Sequence, residues 1–221
     1  MSETMDAPQG SVAWYEARLG RPTASNFGAV VGRKRNGEPL KARTDYQFKL
    51  VAERLAGLGP QVDTPAMARG RDLEPTVVAL YQHRNDGVAL EEVGFVVGPN
   101  GLYGASPDRL VGSDGVLEVK TTAPHLYIAD ILTRGIPERF KWQMVGQLLV
   151  TGRKWCDLAQ YCEPLGAMRV ERLYRDDDDL RLLEEELAAF CAELEVLEEE
   201  ALELLSEERV PPDLRILTDA S

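Results

Sequence analysis

Two carboxylates and one amine carry the chemistry that this chain can perform. Asp108 ends the segment Gly104-Ala105-Ser106-Pro107-Asp108, and after nine intervening residues come Glu118-Val119-Lys120. Alternate side chains of a strand share a face, so Glu118 and Lys120 project together while Leu117 and Val119 point into a core. A Ser113-Asp114-Gly115 turn between the two segments folds the chain back and can bring Asp108 beside Glu118. Two convergent carboxylates make an oxygen-ligand site for Mg²⁺ or Mn²⁺, and the backbone carbonyl of Val119 can complete it. Phosphodiester hydrolysis needs that arrangement: the metal polarises a non-bridging oxygen, lowers the pKa of its water and screens the phosphate, while Lys120 adds positive charge nearby. The competing reading is an ordinary Glu118–Lys120 ion pair on an exposed strand face. Coupling to Ser-Pro-Asp upstream weighs against it.

The elements that must position these groups are legible in outline. Helical patterns run from Trp14 through Leu19, from Thr23 or Ser25, from Thr44 with Phe48, Val51 and Leu55 on the apolar face, and from near Asp72 with Pro75 in the first turn. From Val88 the pattern changes to strand: Val93 to Val97, Leu102 to Ala105 and Val116 to Thr121 read as a small antiparallel meander. Residues 137–151 look helical, and Trp155 to Tyr161 and Met168 to Tyr174 read as strands. This order predicts an α/β fold with a mixed central sheet flanked by helices. A last helix, Asp177 to about Ser206, places Leu180, Leu183, Leu187, Phe190, Leu194, Leu197, Ala201 and Leu204 at alternating steps of three and four, a narrow seam against one neighbouring helix or groove that either straps across its own domain or assembles an oligomer. The expected organisation is a flexible segment 1–11, a core 12–175, the acidic helix 176–208 and a tail 209–221.

Composition bounds the rest. At 221 residues and 44% hydrophobic, the chain can bury a substantial core. No apolar run approaches the ~20 residues of a membrane span, which predicts a cytoplasmic protein with no membrane partner. Three cysteines without a Cys-x-x-Cys pair, and two histidines, argue against a disulfide framework or a zinc site, so a metal here must take oxygen ligands. The net charge of −12 argues against a nucleic-acid partner only as an average. Residues 176–208 hold fifteen acidic residues against one arginine, whereas residues 1–175 carry twenty-two basic against twenty acidic ones. Within that faintly basic body Arg33, Lys34, Arg35, Lys41 and Arg43 cluster, either as a solvated loop or as an arm that contacts phosphates.

Several further motifs stand in a telling order. Trp14-x-x-x-Arg18-x-Gly20-x-x-Thr23-Ala24-Ser25, Arg69-Gly70-x-x-Leu73-Glu74-Pro75, Ser106-Pro107-Asp108, Glu118-Val119-Lys120, and Gln143-x-x-x-Gln147 before Val150-Thr151-Gly152 follow one another. Over residues 12–165 the chain resembles the phage lambda exonuclease and YqaJ-type viral recombinase nucleases, of the PD-(D/E)xK superfamily. That resemblance implies a restriction-endonuclease-like core and Mg²⁺-dependent, 5′ to 3′ degradation of linear double-stranded DNA from its ends in phage-type recombination, in the host cytoplasm if the chain is phage-encoded. It implies a single-strand annealing protein as partner, and a homotrimeric ring is known among such enzymes.

Carried over residue by residue, the resemblance puts the metal carboxylates on Asp108 and Glu118, the catalytic lysine on Lys120, a helix-borne acid on Glu74 and the orienting glutamine on Gln143, with Gln147 beside it. Recognition of the terminal 5′ phosphate falls on Arg18, Ser25 and Ser106. Bland readings stand beside these: Arg18 as a cap of its own helix, Ser25 as an N-cap, and Glu74 as a first-turn acid favoured by the helix dipole. Met67 is a candidate wedge at the duplex end or a packed core residue, and Arg33 and Arg35 are candidate backbone contacts. Arg109 replaces the glycine of many relatives and adds a charge close to the metal. The alternatives are a structure- or site-specific DNA endonuclease on the same core, and a catalytically inactive DNA-end-binding module. The acidic helix must lie away from any duplex, since like charges would oppose binding.

Overall fold

Segments rich in valine and aromatic residues between Leu90 and Tyr174 pair into the sheet that carries the site. The structure, a computed structural model, describes residues 3–5, 7–59 and 64–208, and the expected tail 209–221 lies outside them. In chain order the elements are β1 (Glu3–Met5), α1 (Val12–Arg18), α2 (Phe27–Val31), α3 (Lys41–Ala56), α4 (Pro65–Arg84), β2 (Leu90–Glu91), β3 (Phe95–Val97), β4 (Gly104–Ala105), β5 (Arg109–Val111) and β6 (Gly115–Thr121). Then follow α5 (Pro124–Thr133), α6 (Glu138–Thr151), β7 (Trp155–Cys162), β8 (Ala167–Tyr174) and α7 (Asp177–Glu208).

The strands form a five-stranded sheet in the order β2-β5-β6-β7-β8 and a three-stranded sheet β1-β3-β4. Only β6 and β7 run parallel, joined by the crossover through α5 and α6, so the larger sheet is mixed as expected. Its two faces are both covered. Leu117 and Val119 pack with Val77, Val78 and Tyr81 of α4, while Val116, Cys156 and Leu158 pack with Met144 and Leu148 of α6. Gly146 lets α6 approach α2, because a side chain there would run into the Phe27 ring.

The largest core lies between α2, α3, α6, α7 and the small sheet. Leu180, Leu183, Leu187, Phe190 and Leu194 are buried in it, so α7, about 48 Å long at 1.5 Å per residue, straps across its own domain. Its seam runs out toward the C-terminus: Leu197 and Ala201 are half-buried and Leu204 is exposed.

Several expected boundaries are corrected. The segment 1–11 is not wholly loose, since Glu3–Met5 pairs with β3. Helix α3 opens at Lys41 rather than Thr44, and Phe48 is 57% exposed while Tyr46, Gln47 and Leu50 face inward. The expected Val51 and Leu55 do face the core, so only Phe48 leaves the apolar stripe. Helix α4 starts at Pro65, where the Thr64 hydroxyl accepts from the Met67 amide at 3.2 Å, and Pro75 lies inside it. A good cap with proline at the first position decides the start, and burial of Val77, Val78 and Tyr81 carries the helix past the internal proline. The meander is split, with β3 and β4 in the small sheet and β5 and β6 in the large one. Helix α5 was not expected from the sequence.

Candidate active site

The hairpin of β5 and β6 sets the centre. Its register pairs Arg109 with Leu117 and Val111 with Gly115, so one step further along the same ladder Asp108 falls opposite Glu118. The Asp108 carboxylate accepts the Val119 amide at 2.6 Å. Since the N–H and C=O of one strand residue point to the same side, the Val119 carbonyl faces that side too, beyond the end of β5.

Glu118 is buried and accepts on both oxygens. Gln143 donates to Oε1 at 2.5 Å, Gln147 donates to Oε2, and Lys120 Nζ lies 2.5 Å from Oε1. The two glutamines stand four residues apart and therefore on one face of α6. Gln147 is oriented in turn by the Cys156 thiol, which donates to its carbonyl oxygen at 3.4 Å. Burial, reinforced by Glu118 and Glu74, pushes the Asp108 carboxyl well above the usual aspartate range against the pull of Lys120. Burial pulls Lys120 down, but Glu118 and Asp108 outweigh it and hold the ammonium above its ordinary value.

A second cluster lies beside the first. Ser106 Oγ accepts from Trp14 Nε1 at 2.8 Å and from Arg18 Nη1 at 3.1 Å, which leaves its own hydrogen to be donated. Arg18 stacks on the Trp14 ring at 4.1 Å, one helical turn away. Burial lowers the Arg18 guanidinium from its ordinary value, with Tyr46, Tyr15 and Glu53 acting against it. Arg18 does not cap its own helix; Arg21 donates to the Ala17 carbonyl instead. Ser25 is exposed, and its Oγ lies 3.2 Å from Thr23 Oγ1 rather than capping a helix.

Both clusters line one cavity of about 140 Å³, together with Gln9 and Ala24. Asp108, Lys120, Arg18, Ser25 and Trp14 also line an adjoining cleft of about 1510 Å³, which adds Val119, Glu74, Arg109, Met67, Arg21 and Lys49. No residue of α7 lines either space.

The donor set fits a hard divalent cation. Asp108 and Glu118 share a buried wall, the Val119 carbonyl faces the same side, and the strained ionisation of Asp108 is what a cation would relieve. Among the described residues no three His, Cys, Asp or Glu side chains gather closely enough to hold a metal ion by themselves, so carbonyl or water oxygens must supply the rest.

The model of the YqaJ-like viral recombinase domain matches residues 13–154. The chain belongs to this family. Among curated proteins none matches it. Among solved structures it is similar to the alkaline exonuclease LHK-Exo from Laribacter hongkongensis, at 34% identity and a TM-score of 0.78, over 89% of this chain and 99% of that one. LHK-Exo in complex with dAMP gives 33% identity and a TM-score of 0.80, with the same coverage. A phage-related exonuclease from Haemophilus somnus 129PT, at 12% identity and a TM-score of 0.66 over 82% of this chain and 96% of that one, shares the fold. Family and relatives together support a recombination-associated exonuclease.

In this YqaJ-like chain the expected residues do not all converge. Asp108, Glu118, Lys120, Gln143, Arg18, Ser25 and Ser106 share the cavity, and Glu74, Met67 and Val119 line the cleft. Glu74 is mid-helix, which removes the first-turn reading. Met67 is 53% exposed rather than packed in a core. Arg35 lines neither space; it sits at the tip of a hairpin closed by the Arg33–Pro39 bridge, and Arg33 pairs with Glu186 of α7. The basic cluster, read as a solvated loop or a phosphate-contacting arm, is thus partly consumed in holding α7 through Arg33 and Arg43.

Sequence reasoning assigned no role to Trp14 or Gln9. The Gln9 amide donates to the Pro107 carbonyl at 2.9 Å, beside Asp108. Trp14 stood within a recognisable motif, and its four-residue spacing from Arg18 was the available signal. Nothing in the polar segment before Ser11 marks Gln9.

Proposed function

We propose that this chain is a metal-dependent exodeoxyribonuclease that degrades linear double-stranded DNA from its ends, 5′ to 3′, in phage-type homologous recombination. The observation that carries the reading is one cavity with two walls, Asp108, Glu118 and Lys120 on one and Arg18, Ser25 and Ser106 on the other. A phosphodiester held at the first wall would lie within one small cavity of a terminal phosphate held at the second.

Asp108, Glu118 and the Val119 carbonyl would hold the cation, Mg²⁺ with Mn²⁺ as a substitute. When bound, it supplies Lewis-acid polarisation of the scissile phosphate and neutralises part of its charge. Lys120 keeps its proton and faces the incoming phosphate or the attacking water as a fixed positive charge. Gln143 and Gln147 hold both Glu118 oxygens, so that the carboxylate is oriented before substrate arrives. Arg18 offers its fork of donors to a 5′ phosphate, and the hydroxyls of Ser106 and Ser25 add to it. The Trp14 ring under Arg18 fixes the plane of that fork.

Arg18, Arg21, Lys49, Arg109 and Lys120 line the cleft of a chain whose acidic excess sits on α7, which supports a duplex path there. The relative LHK-Exo was solved with dAMP, a nucleoside monophosphate and therefore of the product class that exonucleolytic hydrolysis releases. A single-strand annealing protein as partner and a homotrimer belong to the same proposal and rest on the family likeness.

The test is digestion of linear duplexes labelled at either terminus, with and without a 5′ phosphate and Mg²⁺. Release of label from the phosphorylated 5′ end alone, with closed circles left intact, is the expected result. Cleavage of closed circles would indicate an endonuclease, and retention of label despite end binding would indicate an inactive end-binding module.

A further inference from the structure

Arg18 and Ser25 stand on one wall of the cavity, and the residues that join them, Leu19 to Thr23, belong to no helix or strand. The distance from guanidinium to hydroxyl is therefore set by whatever holds this link. Arg18 to Arg21 form a type II turn: Leu19 has φ −56° and ψ 124°, Gly20 has φ 61°, and the Arg21 amide donates to the Arg18 carbonyl at 3.1 Å. The left-handed position calls for glycine, and a side chain at Gly20 would also run into the stem of Arg54. Further on, the Pro22 carbonyl accepts the Gly104 amide at 3.0 Å, which ties the link to the strand ahead of Ser106.

Helix α3 grips the turn on both sides. Glu53 Oε2 accepts the Gly20 amide at 3.1 Å, and Arg54 Nε donates to the Gly20 carbonyl at 2.7 Å. About two helical turns earlier on the same face, the Tyr46 hydroxyl accepts the Thr23 amide at 3.0 Å. Glu53 and Tyr46 are buried, so these bonds are shielded from water, and those to the charged side chains are the strong ones. Arg54 is braced in turn by α7: its Nη1 meets Glu198 Oε2 at 2.7 Å, with only about a quarter of either side chain exposed. Arg54 lines neither the cavity nor the cleft, so it reaches the pocket only through Gly20.

We infer that Arg54 is a positioning residue for end recognition: braced by Glu198 of α7, it holds the Gly20 turn and so sets the spacing of Arg18 and Ser25. The inference rests on the reading of Arg18, Ser25 and Ser106 as the site of a 5′ phosphate. A guanidinium fork meets a phosphate along fixed directions, so a small displacement of the turn costs recognition. The acidic helix then contributes to the choice of DNA end without touching DNA.

The experiment is kcat/KM of the full chain on linear duplexes with a 5′ phosphate and with a 5′ hydroxyl, in Mg²⁺. The ratio of the two reads the pocket, whereas a loss of folded protein or of hydrolytic competence lowers both alike. Arg54→Ala is expected to lower the ratio about fivefold, through KM, with 5′-hydroxyl ends degraded as by the wild type. Glu198→Ala leaves Arg54 in place without its brace and serves where the Arg54 variant does not fold; it is expected to lower the ratio about threefold. An unchanged ratio in either folded variant, or an equal fall on both kinds of end, overturns the inference. Arg18→Ala separates the layers: if the ratio survives that substitution, or if the wild type does not distinguish the two ends, the phosphate-site reading fails instead.

Discussion

Acidic side chains do opposite things in two parts of this molecule. Along the seam between α3 and α7 each inward-facing acid has a basic residue to meet. Glu186 pairs with Arg33 and Arg43, Glu193 with Arg43 and Gln47, and Glu198 with Arg54 at 2.7 Å. Arg43 is buried, donates to the Val30 carbonyl at 2.6 Å and lies 5.1 Å above the Phe190 ring. In the cavity, by contrast, Asp108 and Glu118 are crowded together with Lys120 alone between them. The seam balances its charge and contributes stability. The wall formed by Asp108, Glu118 and Lys120 holds one more negative charge than positive, which costs stability and creates affinity for a cation.

The largest expected effect tests the cavity. Asp108→Ala or Glu118→Ala should lower Mg²⁺-dependent hydrolysis at least about a thousandfold, on the order of 4 kcal/mol of barrier, with duplex binding retained in fluorescence anisotropy. Equal loss of binding and turnover would make the residues structural. Next comes the seam: Arg43→Ala takes the basic partner from Glu193 and one of two from Glu186, and should destabilise the fold by roughly 3 kcal/mol in chemical denaturation. A loss under about 1 kcal/mol would dissolve the contrast. Replacing Arg18 by alanine should cost about 10- to 50-fold in kcat/KM on 5′-phosphorylated ends, roughly 1.5–2.5 kcal/mol, and leave 5′-hydroxyl ends unaffected.

A smaller effect carries the opposite sign. In the absence of divalent cations Asp108→Asn should stabilise the protein by about 1 kcal/mol. The folded carboxyl sits above its unfolded value of about 4, so the folded state holds the extra proton. Cation-free stability should therefore decline as pH rises from about 4 through the raised value, and the asparagine variant should lose that slope. The smallest effect marks the end of the seam. Leu187→Ala, in the buried stretch of α7, should cost about 3 kcal/mol, against under about 0.5 kcal/mol for the exposed Leu204→Ala.

Much of the site could be read along the chain because its main parts are local. Asp108 and Glu118 belong to one hairpin, so the turn between them was legible, while the register that sets them face to face is fixed by the pairing of β5 with β6. Gln143 and Gln147 share one helix face because of their spacing. The alternating steps in α7 were visible because burial of Leu180 through Leu194 imposes them. Short-range rules failed at α3 and α4. A cap at Thr64 eleven residues before Pro75 outweighed the local signal of that proline, and burial placed Tyr46 and Leu50 inside while Phe48 stayed outside.

Residue types and spacings alone determined the α/β class, the acidic helix with its seam and the shared face of Glu118 and Lys120, because each depends on neighbours within about a dozen positions; the register that sets Asp108 opposite Glu118 came with the pairing of β5 and β6. Contacts between distant segments were decided only by the packed fold. Trp14 and Arg18 reach Ser106, Gln9 reaches Pro107, Glu74 is taken by Arg109 and Arg33 by Glu186. These meetings depend on how α1, α4 and α7 lie across the sheet, and that placement minimises exposed apolar area over the whole chain rather than within any one stretch of it.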